Sequence, residues 1–534
     1  MKLVLSPETT YLMEPQLPDG RIDYLAAINK QLLAQTPPEK NLIVGVFSLI
    51  GGEKEWSLWL NSDRQLQMQE YRKQFWEMLG AEMPPMDSFG EITLIMLEPS
   101  ALIKDYEKEL LEFYSKEELA QMIEKFDAET TPYPYRHIVY NQWHETLRQP
   151  WTAKEYPYIA AWLARTDEVT AKLIEICRNR TSYYHPLVSD IPLFYDVPLP
   201  YVQSLRTVAR HFQCRGNWEF AQGNIDEAME CAFSSVRLGQ TLRKGSWSIV
   251  EDLVGIACTG IGNYQVTTYL TELPEEKDAA WILQKKKEYD AIEAEIGPLP
   301  WVPIWCLTER LGTLSAVQLI AVEPNVAHEW FKPPCIEEEI FAKYEKLFHS
   351  GVEYDWNKVM KRLNDFYDDW EDTYWLSSWP RRFQASARLE RRANEFRNTD
   401  LDGTPERQAA DFMLGNFMSS IEGIMYALAR AEWDRRVTSV AFALAAYRAD
   451  HNGESPDSLE QLVPKYLDAV PDSPFTEKPL RYLKRAKDVL ITNDDHYKLD
   501  GSEPEVEVQI AEEKSGGRVY PSPRHFLFIV SKTK

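Results

Sequence analysis

The chain has 534 residues, 44 % of them hydrophobic and 27 % charged. That is enough to bury a large core in two or more domains. With 83 Asp and Glu against 59 Lys and Arg, its formal net charge is −24. The surplus argues against binding nucleic acid through phosphates and against docking on an anionic membrane; solubility through self-repulsion explains it simply.

In chain order, Asp19-Gly20 marks a turn. Ile22, Leu25, Ala26, Ile28, Leu32 and Leu33 then follow helical spacing until Thr36-Pro37-Pro38 breaks it. Leu42 to Ile50 fits a strand or a buried helix equally well. At nine residues, this longest apolar run is far below the roughly 18 needed to span a bilayer. Gln65 to Leu79 and Tyr106 to Phe126 read as amphipathic helices, and Thr131 to Tyr135 as a loop. Thr152 and Glu155 have capping-box spacing, which predicts a helix running to about Cys177. Tyr183 to Pro200 holds four prolines and cannot be regular throughout.

The clearest helical array follows, near 202–221, 225–243, 247–272 and 276–296. Its short connections place consecutive helices antiparallel. Gly297 to Pro303 is a proline-punctuated hinge, Leu307 to Val322 returns to helix, and Glu323 to Cys335 is irregular. Helices are expected at 336–349, 355–375 and 381–397, then a long helical region from Gln408 to Asp450. Its buried face would be Phe412, Leu414, Phe417, Ile421, Ile424 and Leu428. Asp488 to Thr492 and Phe526 to Val530 read as strands around an acidic loop, Asp494 to Glu513, with Gly516-Gly517 as a turn. The expected fold is mainly α: antiparallel helical hairpins or a bundle, ending in a small α+β module. Residues 1–150 would form an N-terminal helical region, 151–430 the helical-hairpin body, and 431–534 the module. In the module, the helix face carrying Ala441, Phe442, Leu444 and Ala445 would pack on a small antiparallel sheet.

Few motifs carry chemistry. The six cysteines form no CxxC pair and sit mostly in apolar helical runs, which suits buried free thiols. No HExxH, Glu-x-x-His pair or P-loop occurs. His451-Asn452-Gly453-Glu454 is turn chemistry. Gly245-Ser246-Trp247-Ser248-Ile249 lacks the last glycine of a nucleophile elbow, so Ser246 reads as an N-cap. Gly260-Ile261-Gly262 reads as close helix packing. His137 and His144-Glu145 read as surface or loop positions, and Asp368-Asp369 with Glu371-Asp372 as a solvated helix face. The 17 tryptophans suit wide gaps between helices. Trp370, Tyr374, Trp375 and Trp379 are the best candidates for a carbohydrate or peptide groove.

Two resemblances add to this reading. The order of features in Ala441 to Tyr482 (apolar helix, polar turn, short helix at Leu459 to Tyr466, Pro471, Pro474, Phe475, then Pro479-Leu480-Arg481-Tyr482) resembles the soluble part of type II secretion major pseudopilins. It resembles still more the C-terminal module of a large uncharacterised planctomycete-type family. That second likeness also takes in Leu5-Ser6-Pro7-Glu8-Thr9-Thr10, Trp151 to Asp167, Tyr183-Tyr184-His185-Pro186-Leu187 and Leu253-Val254-Gly255-Ile256-Ala257. Gly223 to Ala228 resembles the turn of one tetratricopeptide hairpin, without the repeat period of a solenoid.

The family resemblance implies a cell-envelope protein with a helical body and an N-terminal hydrophobic anchor or export segment ahead of Leu5. It transfers no catalytic residue. Pseudopilins hold calcium in a C-terminal loop, which implies Ca²⁺ at Asp494, Asp495 and Asp500, beside Asn493. A true pseudopilin leads with its long helix, whereas roughly 430 residues precede the module here, so filament assembly is not implied. The functional expectation is a non-enzymatic interaction or scaffold protein with protein partners, no nucleic acid, and membrane contact only through an anchor. The alternative is a hydrolase of an envelope polymer such as a glycan, with two acids about 5 to 10 Å apart in an aromatic cleft.

Overall fold

Proline and polar caps divide the chain into helices. The computed structural model describes residues 3–50, 65–84, 99, 106–125, 133–189, 191–199, 201–274, 276–333, 336–349, 351–398, 403–484, 488–492 and 525–529. The N-terminal third holds α1 (Tyr24–Leu33), α2 (Leu42–Ile50), α3 (Gln65–Leu79), α4 (Tyr106–Leu110), α5 (Lys116–Ile123), α6 (Pro134–Thr146), α7 (Pro157–Ala164) and α8 (Asp167–Asn179).

Leu42 to Ile50 is therefore a helix, buried along almost its whole length. The Tyr106 to Phe126 stretch divides because Ser115 opens α5 with its own capping box to Glu118. Pro134 starts α6, where a loop was expected: proline at the first helical position gives up a donor that has no intrahelical partner anyway. The Thr152–Glu155 contacts do form, with the Thr152 amide and hydroxyl each donating to Glu155 at 2.8 Å. They close one turn only. Tyr156, ahead of Pro157, is held out of the helical region, and α7 starts afresh at the proline. Thr166 then ends α7 by donating to the Leu163 carbonyl at 2.7 Å, so no single helix reaches Cys177.

Next come α9 (Tyr201–Ala221), α10 (Ile225–Gly245), α11 (Ile249–Thr271) and α12 (Ala279–Ile296), close to the expected boundaries. The α10–α11 pair is antiparallel and very close. A Cβ on Gly239 would strike the Gly255 carbonyl and sit 2.5 Å from the Thr259 amide; one on Gly262 would sit 2.5 Å from the Ala232 carbonyl. Gly262 is thus a packing glycine, whereas Gly260 faces open space.

Beyond the hinge lie α13 (Ile304–Val322), α14 (Pro324–Phe331), α15 (Glu338–Phe348), α16 (Trp356–Trp375), α17 (Trp379–Asn398), α18 (Pro405–Phe417) and α19 (Ile421–Asp450). Pro324 opens α14 inside the stretch expected to be irregular. The long Gln408 to Asp450 helix breaks at Met418 to Ser420, where the Ser420 side chain caps α19.

The chain ends in an antiparallel sheet ordered β1 (Arg481–Lys484), β2 (Asp488–Thr492), β3 (His525–Ile529). Tyr482 pairs with Ile491, and Ile491 with Phe526. The α19 face does not rest on this sheet alone. Every residue from Val440 to Ala446 is buried, as in a helix enclosed on all sides. One core cluster joins them to Val489 and Ile491 of β2 and to Phe233, Val266 and Tyr289 of α10, α11 and α12. The Tyr289 and Phe442 rings lie 5.7 Å apart. Among the described residues no helix is long and apolar enough to cross a membrane.

Candidate functional site

Segment 183–187 has no regular ladder, so its buried backbone needs side-chain partners. Asn29 and Asn41 supply them. Asn29 bonds both the amide and the carbonyl of Leu187 at 2.9 Å and accepts from the Tyr184 hydroxyl. Asn41 donates to the Tyr184 carbonyl at 2.9 Å. This delivers Tyr183 to Glu251, a fully buried carboxyl in the first turn of α11. Glu251 Oε1 accepts from the Tyr183 and Tyr201 hydroxyls, each at 2.6 Å. Its Oε2 accepts from the backbone of Trp247 at 2.8 Å and Ser248 at 3.2 Å. Burial pushes this carboxyl up to about 7, and the four donors oppose the rise. His185 stacks on Tyr201 at 3.6 Å, and burial lowers it to about 3.

The neighbouring Asp252 accepts from Arg243 and from Trp305 Nε1, both at 2.9 Å. Glu251 and Asp252 are thus occupied in joining segment 183–187, α9, α10 and α13. Ser248, not Ser246, is the cap: its extended backbone lets its hydroxyl accept from Glu251, closing a capping box. Ser246 sits at the end of α10 and donates to the Arg243 carbonyl at 3.1 Å.

A second acid is held differently. Glu309 on α13 is half-buried, and Ser419 donates to it at 3.3 Å. Burial raises it to about 7 as well. The Tyr195 side chain is near enough to feel its charge. Tyr195 packs on Phe417 at 5.5 Å and on Trp330 at 6.4 Å, and Trp330 Nε1 donates to Asp196 at 3.2 Å.

The third feature is on the surface, at the start of α17. Trp301, from the hinge, is 59 % exposed, and Trp375, at the end of α16, is 61 % exposed. The Arg382 guanidinium lies 4.9 Å from the Trp301 ring centre and 5.0 Å from that of Trp379, a cation–π arrangement. Its Nε donates to the Leu376 carbonyl at 3.0 Å. The aromatic run continues through Phe383, stacked on Phe475 at 5.9 Å, to Tyr426, 5.4 Å from Phe475. Gly415 lets α18 come close enough to fix α17, since a Cβ there would meet the Arg397 amide at 2.8 Å. In this acidic chain α17 carries six arginines against two glutamates.

The groove candidates separate accordingly. Trp370 and Tyr374 are core, 5.9 and 6.0 Å from Trp305, while Trp375 and Trp379 reach the surface. Trp301 and Arg382 went unnoticed at the sequence level because hinge and helix meet only in space. The acid pairs of α16 are not simply solvated. Asp368 holds the buried Arg310 at 2.7 Å, Glu371 approaches the same guanidinium at 3.5 Å, and Asp369 holds Arg392 at 2.7 Å. His137 and His144 lie on α6, not in a loop, with His144 against the Tyr140 ring at 4.2 Å. Cys177, Cys214, Cys231, Cys258 and Cys306 are buried free thiols; Cys335 lies outside the described residues. So do Asn493, Asp494, Asp495 and Asp500, the calcium candidates. Among the described residues, no group of three or more His, Cys, Asp or Glu is placed to hold a metal ion.

No family model, curated protein or solved structure matches the chain.

Proposed function

We propose that the protein is a non-enzymatic interaction or scaffold protein of the cell envelope. Its α9–α10 hairpin would be a tetratricopeptide-like unit and its C-terminal part a pseudopilin-like module. The observation that carries this reading is the exposed Trp301 against Arg382, with Trp379 on the same guanidinium and the exposed Trp375 at the end of the preceding helix. Tryptophan and arginine are the side chains most enriched among residues that dominate binding energy. The exposed Trp301 ring lies on a guanidinium that is itself held in place, so it loses little conformational entropy on docking. A photo-crosslinker at Trp375 (Trp375→p-benzoylphenylalanine) tests it, with the same group at the exposed Tyr140 as control. A discrete protein adduct from position 375 alone supports the proposal. No adduct from 375, or the same adducts from both positions, overturns it.

One observation favours a second reading, hydrolysis of an envelope polymer. Glu309, raised to about 7 by burial beside Tyr195, has the character of a general acid. Turnover of a glycan panel that Glu309→Gln abolishes, with folding intact, would establish it; equal turnover by the variant would dismiss it.

A further inference from the structure

The outward face of α17 presents Arg381, Gln384, Arg388 and Arg391, all exposed. Their separations of three, four and three residues place them in one stripe about 15 Å long. Among the described residues, no carboxylate pairs with any of these three arginines, although Asp and Glu outnumber Lys and Arg by 24. Some other guanidinium groups do find acids: Arg362 meets Asp411 at 2.6 Å, Arg430 meets Asp434 at 3.0 Å, and Arg392, on the flank of α17 itself, meets Asp369 at 2.7 Å, while Arg382 and Arg397 of α17 donate to carbonyls. The stripe leads at its N-terminal end to the exposed rings of Trp301 and Trp375. Such a row of cations is charge-complementary to an acidic surface.

Resting on the interaction reading above, we infer that this face takes an acidic amphipathic helix of a partner protein, laid along α17. The 3-4-3 spacing is the contact period of paired helices. Arg381 and Arg388 are about 10.5 Å apart along the axis, two turns of a facing helix. An extended peptide repeats its same-face side chains about every 6.8 Å and falls out of step with the pair. A long polyanion meets the repulsion of the surrounding negative surface, whereas one short helix brings few charges. An apolar residue at the end of the partner helix would seat on Trp301 and Trp375.

The full chain tests this by fluorescence anisotropy against three labelled peptides of equal charge, three heptads long. One is helical with glutamates in 3-4 register, one is helical with them scattered, and one has its helix broken by proline. Vesicles containing phosphatidylglycerol form the fourth arm. The registered peptide is expected to bind about tenfold or more tighter than the others, to weaken as salt rises, and to be lost with Arg381→Glu/Arg388→Glu/Arg391→Glu. The milder Arg388→Gln/Arg391→Gln variant, checked by circular dichroism, guards against misfolding. Equal binding of all three peptides overturns the helical partner and leaves an anion-binding face. Binding to vesicles alone, or to none of the four, overturns the inference entirely. If the Trp375 adduct still forms in either case, the interaction reading stands while the acidic helix falls.

Discussion

Replacing Glu251 with Gln changes one oxygen into an NH₂ group and leaves the shape nearly unaltered. The carboxyl accepts four hydrogen bonds, two at each oxygen. Whichever way the amide turns, its NH₂ faces two donors it cannot satisfy. If the NH₂ faces the tyrosines, their hydroxyls must reorient; if it faces the backbone, the Trp247 and Ser248 amides are stranded. At about 1–3 kcal/mol for each unsatisfied buried donor, the loss relative to the ionised carboxyl is about 2–6 kcal/mol.

The size of the loss depends on pH. Glu251 is raised from its ordinary 4.5 to about 7, so between those values the native state holds a proton that the unfolded chain has released. The stabilisation from that proton is fully present below pH 4.5 and fades as pH rises to 7, by about 3 kcal/mol in all. Glutamine has no such proton. The gap between wild type and variant should therefore be wider at pH 5 than at pH 8. Urea titration followed by tryptophan fluorescence at the two pH values measures it. A gap that is the same at both, or that widens with pH, would refute the buried titration; a loss under about 1 kcal/mol would refute the four-donor network.

Other outcomes follow from the same geometry. Burial lowers His185 and His211 to about 3, so both stay neutral in the native state while the unfolded chain charges them below about 6.5. Stability should fall as pH drops through that window, by about 5 kcal/mol for each ring. Above pH 4.5 the opposite slopes of Glu251 and Glu309, both raised to about 7, offset this, so the steep fall comes below 4.5; a profile flat from pH 4.5 to 3 contradicts it. Gly239→Ala should lower the melting temperature despite the alanine's gain in helix preference of about 1 kcal/mol, because its methyl meets backbone atoms of Gly255 and Thr259 that cannot swing aside. An unchanged or higher melting temperature would mean that α10 and α11 part freely. Four buried thiols, those of Cys177, Cys214, Cys231 and Cys258, are pushed up to about 12. A disulfide reagent at pH 8 should modify at most one of the six cysteines before denaturant is added; rapid reaction of several would show that these helices open readily.

The long helices from 201 to 296 were legible because each has an apolar period and ends in Gly, Asn, Ser or Pro. The breaks that escaped were those whose signal has two readings. Pro134 and Pro324 looked like loop residues, yet each begins a helix, since proline both ends and starts helices depending on which side supplies the turn. Thr152 and Glu155 made only half of their box, and no helix follows, because Pro157 sits too soon after it. Of the surface site, Trp375 and Trp379 were named from sequence. Trp301 was not, since a tryptophan between prolines gives no sign that it will lie over an arginine 81 positions along. The arginines of α17 were on view as letters. Their exposure and lack of carboxylates became visible only once Asp369 was seen to serve Arg392 instead.

The enclosed run from Val440 to Ala446 has a bearing on how the polypeptide is made. Translation releases α10, α11 and α12 well before these residues leave the ribosome. Until then Phe233, Val266 and Tyr289, which share their cluster with α19, lack that wall and meet water. A nascent chain halted anywhere between residues 300 and 430 is therefore a sticky intermediate, and its lifetime sets how much it depends on chaperones.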